Sequence, residues 1–387
     1  MSTDLVVIGA GMIGAAVSHF ATAAGLSVLV LERGAIASGT SSHGEGNILV
    51  SDKELGPELD LALYSNTVWR DDLGAYGDRW EFRPKGGLVV SRTAASLEAL
   101  SGLVATQQAH GIRADLVDAA GVRELEPNIN PALTGGAWYP EDAQVQPILA
   151  TAHLLRLARE HGATVRQHAE VTGLLRAGER VVGVRVGAEE IPAGAVVNAT
   201  GPWAPTIGAL AGLDVPVQPR RGFVLVSEPL PPTVFHKVYA AEYVGDVGSG
   251  DAALQASPVV EATDSGTLLI GATRERVGFA PGPSVAAVQL LAARALELFP
   301  ALAGVSIMRT YWGYRPYCED HLPIIGPDPR APGLWHACGH EGAGIGLAPG
   351  TAKLLVQQLT DRPTDLDLAP FRPERFEESR TTTEEHV

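Results

Sequence analysis

With 387 residues and 45% apolar side chains, the chain is long enough to bury a substantial core divided among two or three domain-sized units. Its 44 acidic against 29 basic residues give a formal charge of −15, an electrostatic balance that excludes nucleic acid and anionic membrane as partners. Two cysteines, Cys318 and Cys338, exclude a disulfide framework and a cysteine-rich metal site, and no metal is expected.

The chain opens on Val6-Val-Ile-Gly9-Ala-Gly11-Met-Ile-Gly14, with an apolar run ending at Val28-Leu-Val-Leu31-Glu32. Strand, glycine turn, helix, strand and acid follow in the order of a dinucleotide-binding βαβ unit. Val6 to Ile8 predicts a buried parallel strand. The glycines let the chain turn sharply, approach a pyrophosphate and pack a helix on the sheet. The spacing predicts a helix over Met12–Ala24, its N-terminus offered to the phosphates and its end at Gly25. Ser27 to Leu31 returns as the second strand, and Glu32 stands where an acid accepts from ribose hydroxyls. Read instead as a signal peptide, the segment lacks positive charge, since Ser2, Thr3 and Asp4 precede the apolar core. As a spanning helix it would carry His19 and four glycines. A cytoplasmic location is expected.

Further along, the pattern predicts a helix over Pro57–Tyr76, strands at Trp80–Phe82 and Gly87–Ser91, a helix over Ala94–His110 and another over Pro147–His161. Strands are expected at Thr164–Val171, Val181–Val186 and Ala195–Gly201. A β-rich stretch follows at Gly222–Ser227, Val238–Val244, Leu254–Val260 and Thr267–Gly271, as in an antiparallel sheet. A helix is expected over Val285–Leu298, then Ile324–Gly326, Leu334–Gly339 and a last helix over Ile345–Leu359. From about Glu374 the chain is polar. No repeat or other low-complexity tract is present.

The residues resemble the glycine oxidase and D-amino-acid oxidase family of FAD-dependent amine oxidoreductases. Four segments carry the resemblance: the opening unit continuing through Glu32-Arg33-Gly34 into Thr40-Ser41-Ser-His43-Gly-Glu45-Gly46-Asn47; Val196-Val-Asn-Ala-Thr-Gly201-Pro-Trp203-Ala; Gly313-Tyr314-Arg315-Pro316 with Leu322-Pro-Ile-Ile-Gly326; and Cys338-Gly339-His340-Glu341-Gly342-Ala343-Gly344-Ile345-Gly346. The resemblance implies an α/β protein with a Rossmann-like (GR2-type) FAD-binding domain and a discontinuous, β-rich antiparallel substrate domain. The expected FAD-binding parts are residues 1–79, 147–215 and 311–373. The substrate parts are 80–146 and 216–310, and 374–387 is a flexible tail.

By position, the resemblance places Gly9, Gly11, Met12, Ile13 and Gly14 at the pyrophosphate and Glu32 with Arg33 at the adenosine. Thr40, Ser41, Glu45, Gly46 and Asn47 run along pyrophosphate and flavin. Val171 meets the adenine, and Gly201 lies in the second FAD turn. Glu341, Gly342, Ala343, Gly344, Ile345 and Gly346 lie beside the pyrimidine half of the flavin, where a helix N-terminus stabilises the negative charge of the reduced ring. Arg315 matches the family's carboxylate-binding arginine, and a planar guanidinium grips a carboxylate with two parallel bonds. His43 and His340 flank the flavin site as candidates to orient substrate or stabilise N1. Tyr243, Tyr314 and Tyr317 are candidate pocket walls.

Two departures from the family pattern stand out. Glycine oxidase carries a second arginine in the loop before the last helix, where this chain has Gly342, so a more open pocket or a larger substrate is expected. Where related sarcosine oxidases tether FAD through a cysteine, this chain has Trp312, so the FAD is expected to be non-covalent.

The expected reaction is oxidation of a C–N bond in a carboxylate-bearing amine, such as an N-substituted glycine, a D-amino acid, an imino acid or an opine. Hydride passes to flavin N5, the imine is hydrolysed, and oxygen or another acceptor takes the electrons. Two alternatives stay open: an FAD-dependent 2-hydroxy acid dehydrogenase, and a flavoprotein subunit resembling the β-type subunits of opine or hydroxyproline dehydrogenases. A homo- or hetero-oligomer is compatible with either. A nicotinamide-only enzyme leaves the second and fourth segments without a role.

Overall fold

The structure is a computed structural model that describes residues 3–242 and 250–376. Two eight-stranded sheets dominate it. In the first, Thr3–Ile8 is the central strand, paired in parallel with Val28–Leu31 on one side and with Glu189–Asn198 on the other. Thr164–Arg166 extends the sheet beyond Val28–Leu31, and Leu334–Cys338 extends it beyond Glu189–Asn198, both in parallel. Ile324–Pro327 closes that edge antiparallel. The hairpin Val171–Ala177/Arg180–Val186 pairs with the outer part of Glu189–Asn198.

Alternation along the central strand explains the layering. Leu5 and Val7 face a core shared with the helices Met12–Ala23, Pro147–Glu160 and Gly344–Leu359. Val6 and Ile8 face a second core with Val171, Val181, Val184 and Ile207. The strand is covered on both sides, which is why it reads as an unbroken apolar run.

The second sheet runs in the order Ile307–Cys318, Val217–Ser227, Leu268–Arg274, Gln255–Ala262, Lys237–Ala240, Gly87–Ser91, Gly135–Tyr139, Asp115–Asp118. It is antiparallel except where Lys237–Ala240 pairs in parallel with Gly87–Ser91. One face (Leu88, Val90, Val238, Val260, Ile270) packs on the helix Val285–Leu298 through Leu291, Ala295 and Leu298. Val89, Tyr239 and Val259, which alternate with these, and Ala272 join the core that backs the first sheet. Lys237 and Glu261 lie on that inner side, where they form a fully buried ion pair.

Several local expectations are corrected. Trp80–Phe82 is not a strand: Trp80 ends a 3-10 turn, and Glu81 is left-handed at φ 53°. The helix from Pro57 stops at Thr67, passing through a wide π turn at Val68–Asp72 into the 3-10 turn Gly74–Trp80. Thr164 to Val171 is two strands, because His168 at φ 55° breaks the run. The strand expected at Val238–Val244 ends at Ala240, and residues 243 and 244 lie outside the described residues. The division expected between 310 and 311 falls inside Ile307–Cys318, which pairs along its length with Val217–Ser227 in the second sheet. The tail expected at 374–387 lies outside the described residues from 377 onward.

Candidate active site

A cavity of about 380 Å³ is lined from both sheets. The residues that the sequence singles out converge on it: Gly9, Gly11, Met12, Ile13, Glu32, Arg33, Thr40, Ser41, His43, Glu45, Val171, Gly201, Arg315, His340, Glu341, Gly342, Gly344 and Ile345 all line its wall. Gly14, Gly46, Asn47, Ala343 and Gly346 do not line it. Gly14 and Gly46 serve close packing: a Cβ would come within 2.0 Å of Gly9 O at the first and 1.6 Å of Val145 O at the second. Asn47 is in a short strand with Gln144, and Gly346 O accepts from Ser65 Oγ and Trp69 Nε1.

At the nucleotide end, Gly9 has φ +105° and lies against Ala199, which explains why only glycine serves there. The helix Met12–Ala23 begins at Gly11 without a side-chain cap, and Met12 N–H donates to Ser41 Oγ at 2.8 Å. Glu32 braces the turn, accepting from Ala10 N at 2.9 Å and Gly34 N at 2.7 Å. Arg33 lies 4.4 Å over the Trp203 ring, which stacks on Phe279 at 5.4 Å. Thr200, Pro202, Trp203 and Thr206 complete this wall.

At the other end the strand Ile307–Cys318 presents Arg315, whose Nη1 donates to Thr273 O at 2.8 Å. Gly222 makes room: a Cβ there would come 2.1 Å from Arg315 Nη1. Gly313 makes room likewise for His43, whose Cβ it would meet at 2.5 Å. His43 Nδ1 lies 2.7 Å from Gly39 O and 2.9 Å from Ser42 Oγ, which fixes its ring. Glu45 is 7% exposed, and its Oε1 has no hydrogen-bond partner among the described residues. Gly222 and Glu45's neighbour Gly271 belong to no motif; only the register of the second sheet brings them here.

His340 is buried, with Nε2 3.0 Å from Thr351 Oγ1, so the ring is anchored to the closing helix. Burial pushes its pKa down to about 3 from 6.5. A folded value below the unfolded one means fewer protons bound when folded. The stability it contributes is therefore complete above about pH 6.5 and is lost as pH falls toward 3. His340→Gln is expected to flatten the thermal stability profile across that window, against a slope of up to about 1.4 kcal/mol per pH unit. An unchanged slope in pH-dependent melts would remove His340 as its source.

Glu341, at φ 45°, joins Arg220 and His321: Oε1 accepts from the fully buried Arg220 at 2.5 Å, and Oε2 lies 3.0 Å from His321 Nδ1. Glu341 and Gly342 also border a second cavity of about 280 Å³, whose wall includes Lys53, Glu58, Arg274 and His321. Sequence patterns do not reveal this cavity, because residues 52–58, 274, 320–322 and 341–343 meet only in the fold. Of the tyrosines considered as walls, Tyr314 bonds Ala280 O and Tyr317 lies beneath Arg220 and Arg276; neither lines the first cavity. Tyr243 lies outside the described residues.

Comparison with known proteins defines the class. Residues 4–358 match the model of the DAO family, FAD dependent oxidoreductase, and the chain belongs to that family. It is 30% identical over 395 residues to the bifunctional protein ThiO/ThiG of Trichormus variabilis, an alignment covering 99% of this chain and 56% of that one. The chain thus spans about half the length of that relative. It is 29% identical over 325 residues to the hydrogen cyanide synthase subunit HcnC of Pseudomonas aeruginosa, covering 82% and 74% of the two chains. The solved glycine oxidase of Geobacillus kaustophilus superimposes with a TM-score of 0.86 at 27% identity, over 96% of this chain and 98% of that one.

The residues fit FAD, the cofactor of this family. The N-terminus of Met12–Ala23, where the N-cap residue Gly11 offers no side chain, and the glycine cradle suit a pyrophosphate. The N-terminus of Gly344–Leu359, also without a side-chain cap, reaches the cavity through Gly344 and Ile345 and offers positive charge to a reduced ring. Burial raises both thiols, Cys338 to about 12 and Cys318 well above its usual value, so neither is poised as a thiolate. Trp312, at the tether position, has no nucleophile. Acid precipitation is expected to leave the yellow colour in the supernatant; colour retained by the pellet would mean a covalent link.

Among the described residues no helix is long and apolar enough to cross a membrane, and no group of three His, Cys, Asp or Glu is placed to hold a metal.

Proposed function

We propose that this enzyme oxidises the C–N bond of an amino acid or secondary amine that bears a carboxylate and is larger than glycine. The observation that carries this reading is Arg315. It lies in the wall of the cavity, steadied by Thr273 O, with Gly222 and Gly342 leaving its guanidinium room for a carboxylate. The FAD supplies a two-electron acceptor when bound. What the chain must add is position: a carboxylate held by Arg315 fixes the α-hydrogen at a near-attack distance of about 3 to 3.5 Å from the accepting atom. His43, braced by Gly39 and Ser42, gives the same end of the cavity a fixed polar wall.

Gly342 supports the larger substrate. It lies in the wall of both the main cavity and the second one, which sets that second space next to the anchor for a substituent on nitrogen or Cα. Anaerobic bleaching of the bound flavin against a panel of glycine, N-carboxyalkyl amino acids, D-amino acids, imino acids and 2-hydroxy acids tests the reading. Bleaching by amines with release of ammonia or amine supports it; bleaching by hydroxy acids alone overturns it.

The likeness to a protein named as a synthase subunit favours a second reading, in which this chain works within a hetero-oligomer. Activity of the purified single chain with oxygen or a dye separates the two.

A further inference from the structure

We propose that Arg33, Trp203 and Phe279 form a latch at the nucleotide end of the main cavity that governs how fast FAD enters and leaves, with Phe279 as its positioning residue. The inference concerns the cofactor and stands whichever substrate the enzyme takes.

The row begins at the rim. Arg33 is exposed to solvent and also lines the cavity, so it stands where the inside meets the outside. Its guanidinium lies 4.4 Å over the ring of Trp203, a half-buried residue of the same wall. The indole also closes on Gly39, where a Cβ would come 3.3 Å from Trp203 Cζ3. Gly39 leads into Thr40 and Ser41, and Ser41 Oγ accepts from Met12 N–H at the N-terminus that suits the pyrophosphate. A movement of the indole therefore reaches the turn that cradles the nucleotide.

Phe279 comes from the other side. It stacks on Trp203 with ring centres 5.4 Å and planes 11° apart, and meets the Tyr314 ring edge-on at 5.1 Å. Arg33 and Trp203 follow strands of the first sheet, whereas Phe279 lies on a strap, residues 275–283, that follows Leu268–Arg274 of the second. The row thus ties the two sheets together at the rim.

The strap is fastened beneath this ring. Arg221 Nε donates to Glu275 Oε1 at 2.8 Å, and Arg221 Nη1 donates to Ala280 O at 3.1 Å. Tyr314 Oη donates to the same Ala280 O at 2.8 Å. Phe279 itself is 44% exposed, belongs to none of the hydrophobic cores and does not line the cavity. Its burial therefore adds little to the fold, and it makes no contact of its own with the space the nucleotide fills. What it holds is Trp203. Loops that close over a bound group can set the rate of its release. A ring that steadies the rim without touching the occupant changes the rates of passage in both directions and leaves the affinity nearly as it was.

The test strips FAD from wild type, Phe279→Ala, Phe279→Leu and Phe279→Tyr and follows its uptake and release by flavin fluorescence. In Phe279→Ala the association and dissociation rates should both rise by about 3- to 10-fold, the factor that one aromatic stack is worth, while Kd stays within about twofold of wild type. Phe279→Tyr keeps the ring and should keep both wild-type rates. Phe279→Leu keeps apolar bulk without a ring and should behave as Phe279→Ala does. The Phe279→Ala apoprotein should melt within about 2 °C of wild type, as an exposed side chain outside the cores implies. Unchanged rates in Phe279→Ala overturn the latch. A rise in dissociation alone, with Kd rising in proportion, also overturns it, because Phe279 then supports the bound nucleotide and does not gate its passage. Wild-type rates in Phe279→Leu overturn the stacking, and a large fall in the melting point of the Phe279→Ala apoprotein overturns the proposal in favour of a purely structural role.

Discussion

Arg315→Met is expected to lower kcat/KM for a carboxylate-bearing amine by about 30- to 1000-fold, equivalent to roughly 2 to 4 kcal/mol of transition-state binding. The magnitude follows from what is removed: a charge-assisted, potentially bidentate grip in a half-buried setting, where a guanidinium is worth more than at an open surface. The substitution also leaves Thr273 O without its 2.8 Å donor, a loss that affects stability more than chemistry. Two controls separate these effects. Flavin content should not change, because Arg315 is not one of the residues placed at the pyrophosphate. An amine lacking a carboxylate should lose little, since it never used the grip. Arg315→Lys should recover only a fraction of the activity: an ammonium keeps the charge but not the planar fork. Wild-type kcat/KM in Arg315→Met would withdraw Arg315 as the anchor.

The opening βαβ unit was legible because each of its residues answers to a separate physical need. The strand is apolar on both faces, Gly9 must take a positive φ, Gly14 must touch Gly9 O, and Gly25 must end the helix at φ +90°. Wherever a run of β-favouring residues conceals one left-handed residue, the pattern misleads. Glu81 turns an expected strand into a turn, and His168 divides one strand into two. Neither is glycine, so neither announces itself. The long strand Ile307–Cys318 escaped pattern reading for another reason. Its sequence mixes arginine, aromatics and Pro316, and its half-buried faces give no clean alternation.

The site divides in the same way. Residues in the glycine-rich turns were legible because turns that bind an anion need particular backbone geometry. Gly222, Gly271, the Lys237–Glu261 pair and the second cavity were not. They matter through the partner they face across the sheet register, and one sequence does not state that register.

Gly342→Arg is expected to change what the enzyme selects more than whether it works. A Cβ at position 342 would sit 3.5 Å from Arg315 Nε, an ordinary contact, so the backbone accepts a side chain there without strain. If the wall that the two cavities share at Gly342 is their junction, an arginine extended from this point fills it and places a second guanidinium beside the first. A small substrate whose carboxylate bridges both cations is favoured. One whose substituent must pass the junction meets a side chain and loses its space, and specificity gained by exclusion needs no improvement in the contacts that remain. The ratio of kcat/KM for glycine to that for an N-carboxyalkyl amino acid should therefore rise by about 10- to 100-fold, the range that pocket sterics command. Two guanidiniums side by side repel until a carboxylate arrives, so the variant should also bind simple anions such as acetate more tightly than wild type. If glycine and the larger amine change in parallel, Gly342 is not the passage, and the second cavity has no part in choosing the substrate.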